Sequence, residues 1–96
     1  MAKFLKWHIY QRVLAIMDAG WCRGHLAADV GGKPVPVISA HARYFCAVGA
    51  LQRAQAEFGT QVVRLTRQSA ETWMAKNDQD GKEAVQILIR QRMARL

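Results

Sequence analysis

The chain contains few residues that interrupt helices or form disulfide frameworks. Its 96 residues include 2 Pro, 7 Gly and 2 Cys, and no segment approaches the ~18 consecutive apolar residues that a membrane span requires. So little Pro and Gly excludes a collagen-like or low-complexity chain, and two cysteines are too few for a disulfide-stabilised scaffold. His8, Gln11 and Arg12 interrupt any apolar leader near the start. We therefore expect a cytoplasmic protein with free thiols and no membrane partner.

Acidic residues are also scarce. Seven Asp and Glu stand against 14 Lys and Arg, so the formal net charge is +7. An excess of this size on so short a chain predicts an anionic partner, either a nucleic acid or a nucleoprotein or protein complex. Nine of the 14 cations are arginine, whose planar guanidinium can bind phosphate through two hydrogen bonds.

The hydrophobic pattern predicts one mainly α domain over residues 1–96. Apolar residues recur at helical spacing in four segments, expected at residues 3–17, 40–58, 61–76 and 82–95. In the first segment the expected buried stripe is Tyr10, Val13, Leu14 and Met17, widened by Phe4, Leu5, Trp7 and Ile9. Ser39 is the expected N-cap of the second helix. Gly20 and Gly59 are expected to end the first and second helices, because glycine adopts the left-handed cap conformation most easily.

A short β-hairpin is expected between the first two helices. The glycine pair at 31–32 is a two-residue turn signal, and it separates two strand-like segments at 26–30 and 34–38. The two prolines of the second segment stand two residues apart, so the donors that they lack lie on one side. That segment should therefore pair on its other side only and form an outer edge.

Eight basic residues are candidate contacts for a partner. They lie near both ends of the chain and in the third helical segment: Lys3, Lys6, Arg12, Arg64, Arg67, Arg90, Arg92 and Arg95. Because chain termini often lie close together, we expect the first and last helices to be neighbours and their cations to form one face that contacts phosphates. The alternative is an ordinary solvated surface, since no helix-turn-helix, RNA-recognition or zinc-finger motif is present.

Cys46 is the candidate nucleophile of an alternative, enzymatic hypothesis. Near the start of a helix, the dipole would lower the pKa of its thiol, and His41 with Asn77 or Asp78 would complete a cysteine hydrolase. The structural alternative is a buried thiol beside small residues that pack against another segment. No oxyanion-hole motif is recognisable, so a non-enzymatic protein is the favoured prediction.

A zinc site is a second alternative. Four residues of the zinc-binding types occur in two pairs: Cys22, His25, His41 and Cys46. A structural zinc would help a small core, but none of the common zinc templates has a Cys-His pair followed by a His-Cys pair. Free thiols and surface histidines are therefore the favoured interpretation, and no metal or other cofactor is expected.

The polar segment 77–81 has partial similarity to a calcium loop. With the glycine in the sixth position, Asp78 and Asp80 would occupy ligand positions. The first and last ligand positions would then hold Lys76 and Ile87, which cannot replace carboxylates. We therefore expect a turn whose side chains bond nearby backbone donors and cap the last helix.

Several short motifs together are similar to those of a known family. They are Gly20-Trp21, Gly24, Asp29 before the glycine turn, the run Phe45-Cys46-Ala-Val-Gly49-Ala50-Leu51, Ala54 and Asn77-Asp78. Over about residues 13–89 the chain resembles a family of small bacterial and bacteriophage proteins whose function is unknown. The resemblance implies the same small fold and a phage or mobile-element origin, and it implies no established activity.

We therefore expect a non-enzymatic interaction protein that binds a nucleic acid or nucleoprotein complex through its basic surface. Inhibition of a host defence complex is one concrete form of this function. Two alternatives stay open: the Cys46 hydrolase, and a structural protein that self-associates through the small-residue face of its second helix. The sequence does not fix the oligomeric state.

Overall fold

The computed structural model describes residues 2–96 and contains four helices and two short strands. Their bounds are α1 Ala2–Ala19, β1 Ala27–Ala28, β2 Tyr44–Phe45, α2 Ala47–Phe58, α3 Arg67–Asp80 and α4 Lys82–Ala94. The predicted fold class, a small mainly α domain with a short antiparallel strand pair between the first two helices, is confirmed. Of the helices among residues 2–96, none is both long enough and apolar enough to cross a membrane.

Helix α1 is the central element of the core. The predicted apolar stripe of Tyr10, Val13, Leu14 and Met17 is buried, and it packs mainly against α2 and α4. Two further large side chains complete this core, Trp73 from α3 and Ile89 from α4. Ala47, Ala50 and Ala54 of α2 are fully buried, so small side chains let α1 and α2 approach closely.

The strand pair differs in its second member from the predicted hairpin. The expected turn is present, since the Asp29 amide donates to the Lys33 carbonyl and the Asp29 carboxylate accepts from the Gly31 amide (both 2.9 Å). Segment 34–38, however, contributes only an isolated bridge between Ala28 and Pro34. The regular partner of β1 is β2, with Ala27 opposite Phe45. Proline cannot donate to a ladder, which limits pairing of the proline segment.

Helix α2 begins at Ala47, so the predicted start at residue 40 with a Ser39 N-cap is wrong. Residues 43–46 use their backbone donors in strand contacts, because Arg43 donates to the Ala28 carbonyl (2.8 Å) and Cys46 to the Leu26 carbonyl (3.3 Å). The N-cap is Cys46 instead. The end of the helix is as predicted, with Gly59 in the left-handed conformation (φ 68°).

Two buried glycines mark places where backbones come into direct contact. A Cβ atom at Gly49 would collide with the Leu26 carbonyl, and one at Gly20 would collide with the Arg43 carbonyl. Gly20 is therefore required by contact and not by a left-handed cap, since its φ is not positive. The small-residue face of α2 is covered by the chain's own β1 region, so it is not a free surface for self-association.

Residues 60–66 are extended, and helix α3 begins six residues later than predicted. The side chain of Gln55 holds this segment: its Nε2 donates to the Val63 carbonyl, and its Oε1 accepts from the Val63 amide (both 2.9 Å). Val63 points into the core and Arg64 is exposed. Thr66 then caps α3, since its hydroxyl accepts from the Ser69 amide (3.0 Å).

The polar segment 77–81 is not a turn over most of its length. Helix α3 continues through Asp80, and only Gly81 (φ 101°) breaks the chain before α4 begins at Lys82. The prediction of an Asx turn was wrong because the Asn77 side chain is fully buried and bonds to other elements. Those tertiary bonds hold the last turn of α3 in the helical conformation.

We predict that Gly49→Ala lowers the free energy of unfolding. The new methyl group would press on the Leu26 carbonyl, and overpacking of this kind costs about 1–3 kcal/mol. This cost exceeds the ~0.5–1 kcal/mol that alanine gains over glycine inside a helix. Urea denaturation measures the change. Gly31→Ala is the matched control, because Gly31 is exposed and its nearest heavy atom would lie at 3.4 Å; equal stability of the two variants would contradict the close approach.

Candidate functional site

Four of the eight predicted basic residues surround one open groove. Lys6 comes from α1, Arg64 from the extended segment, and Arg92 and Arg95 from α4 and its end; Leu96 completes the rim. The cavity has a volume of about 260 Å³. We call these four cations with their cavity the basic groove. The expectation that α1 and α4 are neighbours is correct, and their contact brings the cations together.

None of the four groove cations has a carboxylate partner among residues 2–96. The ion pairs of the described chain involve other cations. The one side-chain hydrogen bond in the groove runs from Arg92 Nε to the Tyr10 hydroxyl (3.3 Å). That bond orients Arg92 without neutralising it, so the groove concentrates positive charge on a surface open to solvent.

The other four predicted basic residues lie elsewhere. Arg12 forms a two-point contact with Glu57, with Nε at 2.7 Å, and Arg67 pairs with Glu71 one turn along α3 (3.2 Å). The hydrogen bond from Arg12 is the main reason that the pKa of Glu57 is lowered. Arg90 lines a separate depression near Asp18. These three cations therefore do not extend the groove.

Lys3 lies in an apolar surface region next to the groove. This region, which we call the aromatic patch, consists of Lys3, Phe4, Trp7, Met93 and Leu96. Leu96 lines both the patch and the basic groove, so the two surfaces are continuous. Phe4 is 70% exposed and Trp7 42% exposed. Sequence reasoning placed these two aromatics on the core stripe, whereas at ~100° per residue Phe4 falls on the side of α1 opposite Val13.

A second polar cluster surrounds Asn77 at the other end of the molecule. Asn77 Oδ1 accepts from the Trp21 indole (2.8 Å) and from the Ala47 amide (3.0 Å). Its Nδ2 donates to the Cys22 carbonyl (3.1 Å) and to Asp78 Oδ1 (2.9 Å). One fully buried side chain thus joins α3 to the start of α2 and to segment 21–24.

Asp78 extends this cluster, which we call the Asn77 junction. Its carboxylate accepts from the Gly24 amide (3.0 Å), and its carbonyl accepts from Arg23 (3.1 Å). The Arg23 guanidinium also lies over the Trp21 ring, 5.1 Å from the centroid. Asn77 and Asp78 are therefore fully engaged in holding the fold, and neither contacts His41.

Cys46 belongs to the same junction and does not have the properties of a nucleophile. Its Sγ accepts from the Gly49 amide (3.3 Å) and caps α2. Although the helix amides act in the opposite direction, burial raises the pKa of the Cys46 thiol. Burial likewise raises the pKa of Cys22 to about 11, with Cys46 and Asp78 nearby as lesser causes. The pKa effect required by the hydrolase hypothesis is thus reversed by desolvation.

The structure brings only Cys22 and Cys46 of the four proposed metal ligands near each other. Among residues 2–96, no three His, Cys, Asp or Glu side chains are grouped as a metal would require. His25 and His41 are exposed, and the His41 amide donates to the Ser39 hydroxyl (3.1 Å). The calcium interpretation does not hold either, because residues 77–80 are helical and cannot wrap around an ion.

The motifs that carried the family resemblance converge at the Asn77 junction. Trp21 bonds to Asn77 and Gly24 bonds to Asp78 there. Asn77 also bonds to Asp78 and to the amide of Ala47, the residue that follows Cys46. Residues 7–94 match a family of unknown function, DUF6197, and the chain belongs to this family. No curated protein and no solved structure matches the chain. The motifs are explained by the fold, while the basic groove lies outside them.

We predict that Asn77→Ala strongly destabilises the protein. The substitution leaves the Trp21 indole and the Ala47 amide without their acceptor, and each buried unsatisfied donor costs about 1–3 kcal/mol. A loss of at least about 2 kcal/mol in the free energy of unfolding is expected from chemical denaturation. Gln79→Ala, an exposed change on the same helix, should cost less than ~0.5 kcal/mol. Equal effects would contradict the role of the junction.

We further predict that both thiols react slowly in the folded protein. A rise in pKa from 9.0 to about 11 lowers the thiolate fraction of Cys22 about a hundredfold at pH 8. As the pH is increased towards that pKa, the alkylation rate of Cys22 should rise about tenfold per pH unit. Iodoacetamide alkylation followed by mass spectrometry measures both sites, with the urea-unfolded chain as the control. If Cys46 in a Cys22→Ser variant reacted at neutral pH as fast folded as unfolded, the hydrolase hypothesis would regain support.

Proposed function

We propose that this protein binds nucleic acid, with the basic groove as its phosphate-contacting surface. The observation that carries the proposal is the convergence of Lys6, Arg64, Arg92 and Arg95 on one open cavity without a carboxylate partner in the described chain. Like charges gathered on one surface repel one another, and a bound anion relieves this repulsion. A phosphate backbone supplies such charges at regular spacing.

The residue types in the groove also favour phosphate. Three of the four cations are arginine, whose guanidinium presents several donors in a fixed plane and matches phosphate oxygens well. The Arg92 guanidinium is already oriented by the Tyr10 hydroxyl, so less side-chain freedom is lost on binding. Lys6 adds a flexible point charge from α1.

The proposal concerns binding, without a chemical step. Burial and the raised pKa of Cys46 oppose the hydrolase alternative, and the covered face of α2 opposes self-association through Gly49. A phage or mobile-element origin and inhibition of a host defence complex remain predictions from the sequence. A nucleoprotein partner would use the same groove through its nucleic acid, so nuclease treatment should release it. An acidic protein partner should stay bound after nuclease treatment.

We predict steep salt dependence of nucleic-acid binding. Four phosphate contacts give a slope of log affinity against log salt of about −3 for a single strand. The double variant Arg64→Gln/Arg95→Gln should roughly halve that slope and weaken binding at low salt, because two counterion-releasing contacts are removed. Fluorescence anisotropy with a labelled oligonucleotide measures both quantities.

The control for this experiment removes the same charge from another surface. Lys33→Gln/Lys76→Gln lowers the net charge by two as well, and neither residue lines the groove. If affinity depends on the groove, the control keeps most of the slope of the parent protein. Equal losses in the two double variants would indicate a non-specific effect of net charge, and absence of binding by the parent protein at low salt would refute the proposed function.

A further inference from the structure

The aromatic patch is an unusual surface because it exposes two large rings of α1 beside the end of α4. Phe4 is 70% exposed and Trp7 42% exposed. Both make edge-to-face contacts with His8, with ring centroids 4.6 and 5.2 Å apart. These contacts fix the rings on the helix surface, where most of Phe4 and nearly half of Trp7 are open to solvent. Exposed aromatic area of this kind is typical of a binding surface.

The position of the patch relates it to the basic groove. Leu96 lines both surfaces, and Lys3 and Lys6 each precede one of the two aromatics in α1. A sugar-phosphate backbone that followed the groove cations would therefore continue past Lys3 at the edge of the patch. Its bases would then lie over Phe4 and Trp7.

We propose that the patch stacks unpaired bases of a single-stranded nucleic acid whose phosphates lie in the basic groove; this inference rests on the proposed function and specifies its ligand. In a double helix the base faces are stacked on one another and only base edges are accessible. A single strand offers free base faces, and alternating cations and aromatic rings form the surface that binds such strands without sequence preference. The patch therefore distinguishes a single strand from a duplex.

Charge favours this occupant over two others. A second copy of the chain placed on the patch would bring Lys3 and Lys6 close to the same positive charges of its neighbour, which opposes association. A flat anionic membrane would contact cations that project from the outer face of a helix. Arg64 and Arg92 instead lie in a cleft between elements, which a flat surface does not enter. A flexible strand can enter that cleft while its bases reach the patch.

The test compares a labelled single-stranded oligonucleotide with the duplex of the same sequence by fluorescence anisotropy. Trp7→Leu keeps an apolar side chain and removes the ring, and it should weaken single-strand binding about 5- to 140-fold, as expected for the loss of one stacked base. Duplex binding should change less than twofold. Phe4→Leu should also weaken single-strand binding. Because the Phe4 side chain is 70% exposed, this substitution should not disturb folding. Tryptophan fluorescence should be quenched by the single strand in the parent protein and much less in Trp7→Leu.

The matched control is Phe58→Leu, which removes a half-exposed aromatic ring from the end of α2, outside both surfaces. It should leave affinity for the single strand unchanged. Equal affinity of the parent protein for single strand and duplex, with no effect of Trp7→Leu or Phe4→Leu, would overturn the stacking proposal and leave the proposed function intact. If the parent protein bound no nucleic acid at low salt, both the stacking proposal and the proposed function would be overturned. Trp7-dependent binding to anionic vesicles or Trp7-dependent dimer formation, without an effect on oligonucleotide affinity, would assign the patch to another occupant.

Discussion

The carboxamide of Asn77 is the interaction on which the arrangement of the chain depends. It is fully buried and makes four hydrogen bonds that reach α2, segment 21–24 and its own neighbour Asp78. The group must supply an acceptor on one side and a donor on the other, which an amide does and a carboxylate or an apolar side chain does not. Because such a site is buried, an unfilled donor or acceptor would be costly. This requirement explains why the family motifs, far apart in sequence, meet at one place.

The junction and the basic groove lie at opposite ends of the same helices. Helix α1 ends just before Trp21, and α4 begins just after the junction at Gly81. At a rise of 1.5 Å per residue, Lys6 stands about 20 Å from the end of α1, and Arg92 stands about 15 Å from the start of α4. Gln86 and Lys82 of α4 both contact Asp18 of α1 and hold the two helices side by side. Residues that maintain the fold are thus distinct from those that we assign to binding.

The sequence was sufficient for the elements whose structure depends on local pattern. The buried stripe of α1, the glycine that ends α2 and the turn at 29–33 follow from side-chain periodicity and glycine conformation. The failures arose where distant contacts override local preference: residues 40–46 pair with β1 instead of extending α2, and residues 77–80 are helical because Asn77 is buried. At the candidate site, half of the predicted cations converge, but Arg12 and Arg67 are neutralised by glutamates whose proximity the sequence did not reveal. The exposure of Phe4 was readable from the helical angle, since this residue lies opposite Val13. The exposure of Trp7 was not, because its angle differs by only about 20° from that of the buried Leu14.

The contact between Gln55 and Val63 has a consequence for the charge of the groove. The amide of Gln55 presents to the backbone of Val63 the donor and acceptor that a neighbouring strand would present. Side chains of an extended segment alternate between two sides, so a shift by one residue would exchange an inward valine for an outward arginine. One glutamine side chain therefore holds segment 60–66 in the register that buries Val63 and leaves Arg64 exposed at the basic groove.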